Sequence, residues 1–217
     1  MMVQAIVFDF DGTIIETETP DYQSWQEIFL EFGTSLSQKL WTGYIGTAAG
    51  TFDPYGLLAQ QSGRSVDRAA VRTRRRQRFH ELVAQEPLRP GVAVLLEAAA
   101  AQGIPLAVAS SSTRDWVEEH LTTRKLRDYF SAVFTANDVE RVKPDPMLYQ
   151  LAVRALQVEP AQALAIEDSL NGMLAAKRAG LKCVVVPHGM TQHMDFAEAD
   201  WVAPSLADIG VAQLLTM

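Results

Sequence analysis

The stretch VQAIVFDFDGT, from Val3 to Thr13, is the part of this chain that predicts its fold. Its first part, Val3 to Phe8, is a short and nearly unbroken apolar run, typical of a strand covered on both faces in a parallel sheet. Asp9 and Asp11 follow, where the buried strand becomes a loop. Unpaired carboxylates at a buried strand end carry a heavy desolvation penalty. We therefore predict that a metal ion or another positive group compensates for them.

Polar residues follow three further apolar runs later in the chain. They are Ser110, Lys143 and the pair Glu167 and Asp168, which come after the runs 106–109, 132–135 and 163–166. In an open α/β sheet, ligands bind beyond the carboxyl ends of the strands. Each signal alone has an ordinary structural explanation as a turn, a solvated lysine or a helix N-cap. Together they predict one site.

The chain after residue 90 alternates between helical and strand patterns. We predict helices at 91–102, 113–121, 146–157 and 169–179, and strands at 105–109, 132–135, 163–166 and 182–186. This alternation is typical of a doubly wound, Rossmann-like parallel α/β sheet. The end of the chain, from Ala199, predicts a short edge strand and a closing helix over 205–215.

Residues 16–86 carry helical patterns and almost no strand pattern. A linker at 14–20 precedes a helix from Asp21, and Ser65 or Asp67 is expected to cap a helix that runs to about Val83. Between them, several Gly and Pro residues break the pattern into pieces that cannot be assigned. They are Gly43, Gly46, Gly50, Pro54 and Gly56. The predicted domains are an α/β core, residues 1–15 and 87–217, and an inserted all-helical cap, residues 16–86.

The composition is that of an ordinary globular protein of 217 residues with a formal net charge of −7. This charge disfavours nucleic-acid binding, which relies on neutralising phosphates, and favours a small partner. The single cysteine, Cys183, excludes an intrachain disulfide and fits a reducing compartment. No secretory signal pattern and no run of eighteen apolar residues is present. We expect a cytoplasmic protein without a membrane segment, either a monomer or a weak dimer.

The motifs at Asp9 to Thr13, Ser110, Lys143 with Pro144, and Glu167 with Asp168 resemble the four motifs of the haloacid dehalogenase superfamily. The resemblance covers nearly the whole chain. The position and helical character of the insertion are similar to the β-phosphoglucomutase-like branch, whose members are mostly phosphatases with a small helical cap. The resemblance implies a Mg²⁺ cofactor. Its implied ligands are the Asp9 carboxylate, the Asp11 backbone carbonyl, Asp168, and Glu167 directly or through water.

The residue types fit phosphoryl transfer. A carboxylate such as Asp9 can attack phosphorus and form an acyl phosphate. Asp11 can protonate the leaving oxygen and later take a proton from water. Lys143 supplies a fixed positive charge and Ser110 a hydroxyl toward the phosphoryl group. Carboxylates alone would repel a phosphate dianion, and a hard divalent cation removes that repulsion.

Catalysis is expected in the α/β core, and substrate specificity in the cap, because the core motifs contact only the phosphoryl group. Further residues are assigned to substrate binding. Gly12 and Thr13 belong to the first motif, Ser111 offers its amide, and Thr17 is expected to hydrogen-bond Asp11. Arg75 interrupts an apolar stripe of the basic helix in the predicted cap, and we hypothesise that it recognises the substrate. The four histidines lack metal-ligand spacing and are interpreted as structural or exposed.

The leading interpretation is a Mg²⁺-dependent phosphatase acting on a small phosphorylated metabolite, such as a sugar phosphate, through an aspartyl phosphate at Asp9. The alternatives are a β-phosphoglucomutase-type mutase and a non-catalytic protein that senses phosphosugars. True β-phosphoglucomutases carry a histidine where this sequence has Asp21, which disfavours the mutase. Dehalogenases of the superfamily lack the second aspartate, which is present here as Asp11.

Overall fold

The computed structural model describes residues 2–43, 45 and 52–217. The chain divides into two compact units. The core unit comprises Met1–Ile15 and Leu88–Met217, and the helical unit comprises Glu16–Pro87. Across the described ranges, no helix combines the length and apolarity needed to cross a bilayer. The catalytic and specificity roles expected of the two units remain predictions.

The secondary structure alternates in the core unit and is helical in the insertion. In chain order the elements are β1 (Ala5–Phe8), α1 (Glu18–Glu31), α2 (Gln38–Thr42), α3 (Pro54–Ser62), α4 (Arg68–Gln85), α5 (Val92–Ala101), β2 (Leu106–Ala109) and α6 (Arg114–Thr123). They continue with β3 (Phe130–Phe134), α7 (Met147–Leu156), β4 (Ala163–Glu167), α8 (Leu170–Arg178), β5 (Lys182–Val185), β6 (Trp201–Val202) and α9 (Val211–Leu215).

The core unit contains one parallel sheet of six strands in the order β3-β2-β1-β4-β5-β6. This confirms the predicted doubly wound α/β class. The chain first builds outward from β1 to β3 and then returns to add β4 on the other side of β1. The boundary between β1 and β4 is therefore the switch point, where ligands bind in folds of this class.

Alternation along the strands explains how both faces of the sheet are covered. Ala5 and Val7 point to the face covered by α7 and α8, whereas the buried Ile6 and Phe8 point to the other. The first face is lined mainly by small residues, which lets the helices approach closely. These residues are Ala107, Ala109, Ala163 and Ala165. The close packing of α7 and α8 on the sheet therefore fixes the positions of the polar residues at the ends of β1 and β4.

One prediction for the helical unit needs correction, and another is resolved by the structure. The linker expected at 14–20 is wrong, because α1 begins at Glu18 and holds Pro20 in its first turn, where proline costs no hydrogen bond. The side chain of Asp67 caps α4 by accepting from the amides of Ala69 and Ala70, so the cap predicted at Ser65 or Asp67 lies at Asp67. Gly46 and Gly50 lie outside the described residues.

The closing segment also differs from the prediction. The single helix expected over 205–215 is divided into a 3₁₀ turn at Leu206–Asp208 and the short α9. The Ser205 hydroxyl caps the 3₁₀ turn by accepting from the Ala207 amide. Ile209 and Gly210 then adopt extended backbone angles, which end the turn before α9 begins.

Candidate active site

The predicted site residues of the core unit meet at the carboxyl ends of β1 and β4. Phe8 pairs with Ile166 in the parallel register, and the Asp9 amide donates to the Ile166 carbonyl at 2.9 Å. Asp9 and Glu167 therefore leave neighbouring strands side by side. Asp9, Glu167 and Asp168 are buried, and each offers a carboxylate oxygen within 4.8 Å of the others.

Lys143 enters this cluster from the segment that follows β3. Its ammonium group lies 2.5 Å from Asp9 Oδ1 and 2.6 Å from Glu167 Oε1, and it is buried with both partners. The peptide bond between Lys143 and Pro144 is cis. The structure thus brings the lysine of the third motif onto the aspartate of the first.

Glu167 is enclosed by groups that the sequence did not single out. The Tyr149 hydroxyl, from α7, donates to Glu167 Oε1 at 2.6 Å, and the Ser169 hydroxyl donates to Oε2 at 3.2 Å. Gly172 lies directly against this carboxylate, since a Cβ at this position would come within 2 Å of it. Tyr149 resembles any apolar residue facing the sheet from a helix, so the sequence carried no signal for its contact.

Asp168 contacts a histidine and the loop after β1. Its Oδ2 lies 3.0 Å from His188 Nε2, and a Cβ at Gly12 would come within 2.4 Å of the same oxygen. The Met190 amide donates to His188 Nδ1, which assigns the ring proton to Nε2 and makes His188 the donor to Asp168. His188, interpreted from the sequence with the other histidines as structural or exposed, thus contacts a carboxylate of the site.

The electrostatics of the cluster fit a divalent cation. Burial raises the pKa of Asp9 well above its usual value, with Lys143 opposing and Glu167 and Asp168 adding to the rise. Burial likewise raises the pKa of Asp168, with the His188 hydrogen bond opposing. Burial opposes the charge of Lys143, but Asp9 and Glu167 raise its pKa, so it remains charged. Burial is the main cause of the raised pKa of both carboxyl groups, and the neighbouring carboxylates add to it.

One buried oxygen of the cluster marks where a cation would bind. Asp9 Oδ2 is buried and has no hydrogen-bond partner among the described residues. An orphaned carboxylate oxygen of this kind is costly unless an ion binds it. Three carboxylate oxygens in one cluster are the hard donor set that Mg²⁺ prefers. Asp9, Asp168 and Glu167 therefore fit the metal that the resemblance implied.

Asp11 points to a different set of partners. The Ser112 hydroxyl donates to Asp11 Oδ2 at 2.6 Å, and the Ser110 hydroxyl lies 3.4 Å from the same oxygen. The Trp116 indole N–H, from α6, donates to Oδ1 at 2.8 Å. Ser110 thus lies beside Asp11, and its assignment to the phosphoryl group remains a prediction. Ser112 and Trp116 were not identified from the sequence. Ser111 is exposed, and its assignment to substrate binding remains a prediction.

The loop that carries Gly12 and Thr13 is held by an arginine that the sequence did not single out. The Arg89 guanidinium donates to the backbone carbonyls of Gly12, Val186 and Pro187. It joins the loop after β1 to the segment after β5. Thr13, Arg89 and His188 line a cavity of about 600 Å³ in the core unit. Binding of substrate by Gly12 and Thr13 remains a prediction.

The two site residues predicted in the insertion, Thr17 and Arg75, belong to the helical unit. Arg75 does not simply break an apolar stripe, because its guanidinium pairs with Asp21 of α1 and lies over the rings of Trp25 and Phe79. Its contacts within this unit are thus structural. A role in substrate recognition for Arg75, and the assignment of Thr17, remain predictions.

Comparison with known proteins identifies the class of the molecule. The family model described as haloacid dehalogenase-like hydrolase matches residues 6–186, and the chain belongs to this family. The resemblance drawn from the four motifs is thereby confirmed.

Among curated proteins, the chain is 46% identical to "Putative phosphatase YhcW" of Bacillus subtilis, over 99% of this chain and 97% of that protein. It is 31% identical to hexitol phosphatase B of Escherichia coli, over 98% and 97% of the two chains. Among solved structures, the chain is similar to CbbY from Rhodobacter sphaeroides in complex with phosphate, with a TM-score of 0.80 and 35% identity. The match covers 98% of this chain and 99% of that chain. A variant of CbbY, equally similar, was solved with xylulose-(1,5)bisphosphate. Family and relatives together make this chain a phosphatase.

Proposed function

We propose that the chain is a Mg²⁺-dependent phosphatase that hydrolyses a small sugar phosphate through an aspartyl phosphate at Asp9. The observation that carries this proposal is the buried cluster of Asp9, Glu167 and Asp168. Lys143 pairs with Asp9 and Glu167, and Asp9 Oδ2 has no hydrogen-bond partner among the described residues. A buried carboxylate nucleophile attacks a negatively charged phosphate ester only when nearby positive charge offsets its negative charge.

The first chemical step uses Asp9 and Lys143. A carboxylate oxygen of Asp9 attacks phosphorus while the bond from phosphorus to the bridging oxygen breaks. Lys143 holds Asp9 Oδ1 in place and presents positive charge to the transferring group. Bound at Asp9, Asp168 and Glu167, Mg²⁺ would supply charge neutralisation for the phosphoryl oxygens. Tyr149 and Ser169 keep Glu167 oriented toward Lys143.

Asp11 completes both steps as acid and then as base. In the first step it gives a proton to the bridging oxygen, so that the alcohol leaves uncharged. In the second step a water molecule attacks phosphorus, and its proton passes to Asp11. The bond between phosphorus and the Asp9 oxygen breaks, which restores the Asp9 carboxylate and releases phosphate. Hydrogen bonds from Ser112 and Trp116 hold Asp11 while it acts.

The relatives support a phosphorylated carbohydrate as the substrate. One relative is named a hexitol phosphatase and another was solved with a sugar bisphosphate, so two related proteins share phosphorylated carbohydrate chemistry. The negative net charge favours a small substrate over a polyanion.

The test is phosphate release with Mg²⁺ across a panel of phosphorylated metabolites. Wild type and Asp9→Asn are compared, and Asp195→Asn, an exposed aspartate of the loop after β5, is the matched control. We expect the wild type and the control to hydrolyse one or a few sugar phosphates. Asp9→Asn and chelation by EDTA should abolish the activity. Turnover that persists in Asp9→Asn would contradict the aspartyl phosphate.

The same panel separates the other interpretations. Conversion of β-glucose 1-phosphate to glucose 6-phosphate without phosphate release would establish a mutase, despite Asp21. Binding of a phosphosugar without any turnover would establish a sensing protein. Asp21, which stands where β-phosphoglucomutases carry a histidine, is an anion paired with the Arg75 guanidinium.

A further inference from the structure

The indole ring of Trp116 lies in direct contact with the acid–base residue of the proposed reaction. Its Nε1–H donates to Asp11 Oδ1 at 2.8 Å, across 105 positions of sequence. Both residues belong to the core unit. Nothing in the four motifs identifies this tryptophan, which follows the second motif as the third residue of α6.

The indole ring is itself held by packing. Trp116 meets His120, one turn further along α6, edge to face with ring centroids 4.0 Å apart. His120 is buried, its Nδ1 contacts the Arg124 guanidinium at 2.8 Å, and its ring lies 6.2 Å from that of Phe10. The indole N–H is therefore aimed by a packed cluster on a helix and not by a mobile loop.

We propose that Trp116 is a positioning residue for proton transfer by Asp11, because its N–H holds Oδ1 and leaves Oδ2 to exchange the proton. An indole N–H can only donate, so the oxygen it contacts serves as an acceptor. Oδ2 instead faces the hydroxyls of Ser112 and Ser110, which can donate or accept. Because Ser110 is expected to face the phosphoryl group, we assign Oδ2, the oxygen that Ser110 contacts, to the phosphoryl side.

This inference rests on the proposed function and predicts a specific kinetic pattern. An alkyl phosphate needs a proton on its leaving oxygen, whereas p-nitrophenolate leaves as a stable anion. A variant that misplaces Asp11 should therefore lose the first reaction and keep the second. The parameter kcat/KM reports steps up to the first irreversible one, so slower hydrolysis of the aspartyl phosphate does not enter it.

The experiment compares wild type, Trp116→Phe and Trp201→Phe. Phenylalanine at 116 keeps an aromatic ring against His120 and removes the N–H, while Trp201 lies in β6 and serves as the matched control. The substrates are p-nitrophenyl phosphate and the alkyl phosphate that the wild type hydrolyses fastest. We expect Trp116→Phe to lower kcat/KM for the alkyl ester roughly 10- to 100-fold. For p-nitrophenyl phosphate the change should stay below about 3-fold, and Trp201→Phe should change neither.

A second measurement tests the contact without catalysis. The chain has four tryptophans, and the indole N–H signal missing from the NMR spectrum of Trp116→Phe identifies Trp116. In Asp11→Ala this signal should move, because its hydrogen-bond acceptor is gone. The signal of Trp201 should stay in place.

The possible results distinguish failure of the positioning role of Trp116 from failure of the proposed function. Equal loss on both esters, no loss on either, or an unmoved Trp116 signal in Asp11→Ala would overturn the positioning role while the phosphatase stands. A wild type that hydrolyses neither ester would overturn the proposed function, and the positioning role with it. A loss confined to the alkyl ester, together with a displaced signal, is the result that we expect.

Discussion

Gly172 is packed so closely against Glu167 that a single added carbon would occupy the space of the carboxylate. An ideal Cβ at this position would lie 1.9 Å from the Glu167 carboxyl carbon. Gly172 is the third residue of α8, and its amide donates to the Ser169 hydroxyl that caps the helix. The first turn of α8 is therefore packed directly against the Glu167 carboxylate. The absence of a side chain at Gly172 leaves room for Glu167 to reach Lys143.

Gly172→Ala should therefore damage the site more than the fold. We expect kcat/KM to fall by at least about 10-fold, because Glu167 is displaced from Lys143 and Tyr149 and an error of about 1 Å in a catalytic group is costly. Overpacking should lower the free energy of unfolding by about 1–3 kcal/mol. Activity assays and urea unfolding measure the two effects.

Gly210→Ala is the control for this change. Gly210 has a φ of −62° and no atom within 4 Å of an added Cβ, so alanine should change stability by no more than about 0.5 kcal/mol. If Gly172→Ala changed activity and stability no more than Gly210→Ala does, the close packing of Gly172 against Glu167 would be contradicted.

Mg²⁺ should stabilise the folded chain through the three carboxylates. A ligand at 100 times its dissociation constant stabilises by about 2.7 kcal/mol, which raises the Tm by several degrees. Asp168→Asn removes one charge of the cluster and should lose most of this shift, whereas the exposed Asp195→Asn should keep it. Thermal unfolding with Mg²⁺ and with EDTA measures the shift. An equal shift in Asp168→Asn would place the ion elsewhere.

The position of the core site was predictable because its signals are local. An apolar run that ends in Asp9 or in Glu167 is visible in a few residues, and the sheet order brings such ends together at the switch point. The same reasoning failed for the start of α1. Pro20 suggests a linker, although proline is accommodated in the first turn of a helix.

The partners of the motif residues were not predictable, because the tertiary fold creates those contacts. Tyr149 and Trp116 have the pattern of ordinary apolar positions on α7 and α6, and only the fold brings their polar atoms to Glu167 and Asp11. Likewise, Arg75 and Asp21 are 54 residues apart and meet through the packing of α1 against α4. No spacing rule in the sequence connects such pairs.

The turn after β3 should make stability fall at acidic pH through Asp138. Burial alone would raise the pKa of Asp138, but hydrogen bonds from Thr135 and the Arg114 guanidinium lower it below its ordinary value of 3.8. Because the folded pKa is depressed, the stabilisation is complete above the unfolded value and is lost as pH falls through the folded one.

The measurement is urea unfolding of wild type and Asp138→Asn between pH 7 and pH 3. The difference in unfolding free energy should be constant at neutral pH and should shrink as the pH falls below about 4. Asp128→Asn, at an exposed aspartate before β3, should show a smaller difference from wild type at neutral pH. If the difference in unfolding free energy between wild type and Asp138→Asn grew toward pH 3, the depressed pKa of Asp138 would be contradicted.

Arg75→Ala should weaken the helical unit and also tests its assignment to substrate binding. The Arg75 side chain is only 19% exposed, pairs with Asp21 and lies 5.3 Å from the centroid of the Trp25 ring. Loss of a partly buried ion pair and a cation–π contact should lower the free energy of unfolding by about 1 kcal/mol. Arg76→Ala, on the exposed side of α4, should stay within about 0.5 kcal/mol of the wild type.

Kinetics of the same two variants decide whether Arg75 also recognises the substrate. If the guanidinium contacts the bound sugar phosphate, Arg75→Ala raises KM for the preferred substrate, while Arg76→Ala leaves it unchanged. An unchanged KM in Arg75→Ala, combined with the loss of stability, would limit Arg75 to its pairing with Asp21. The variants must be compared at a temperature well below the Tm of both, so that a population of unfolded enzyme is not mistaken for weaker binding.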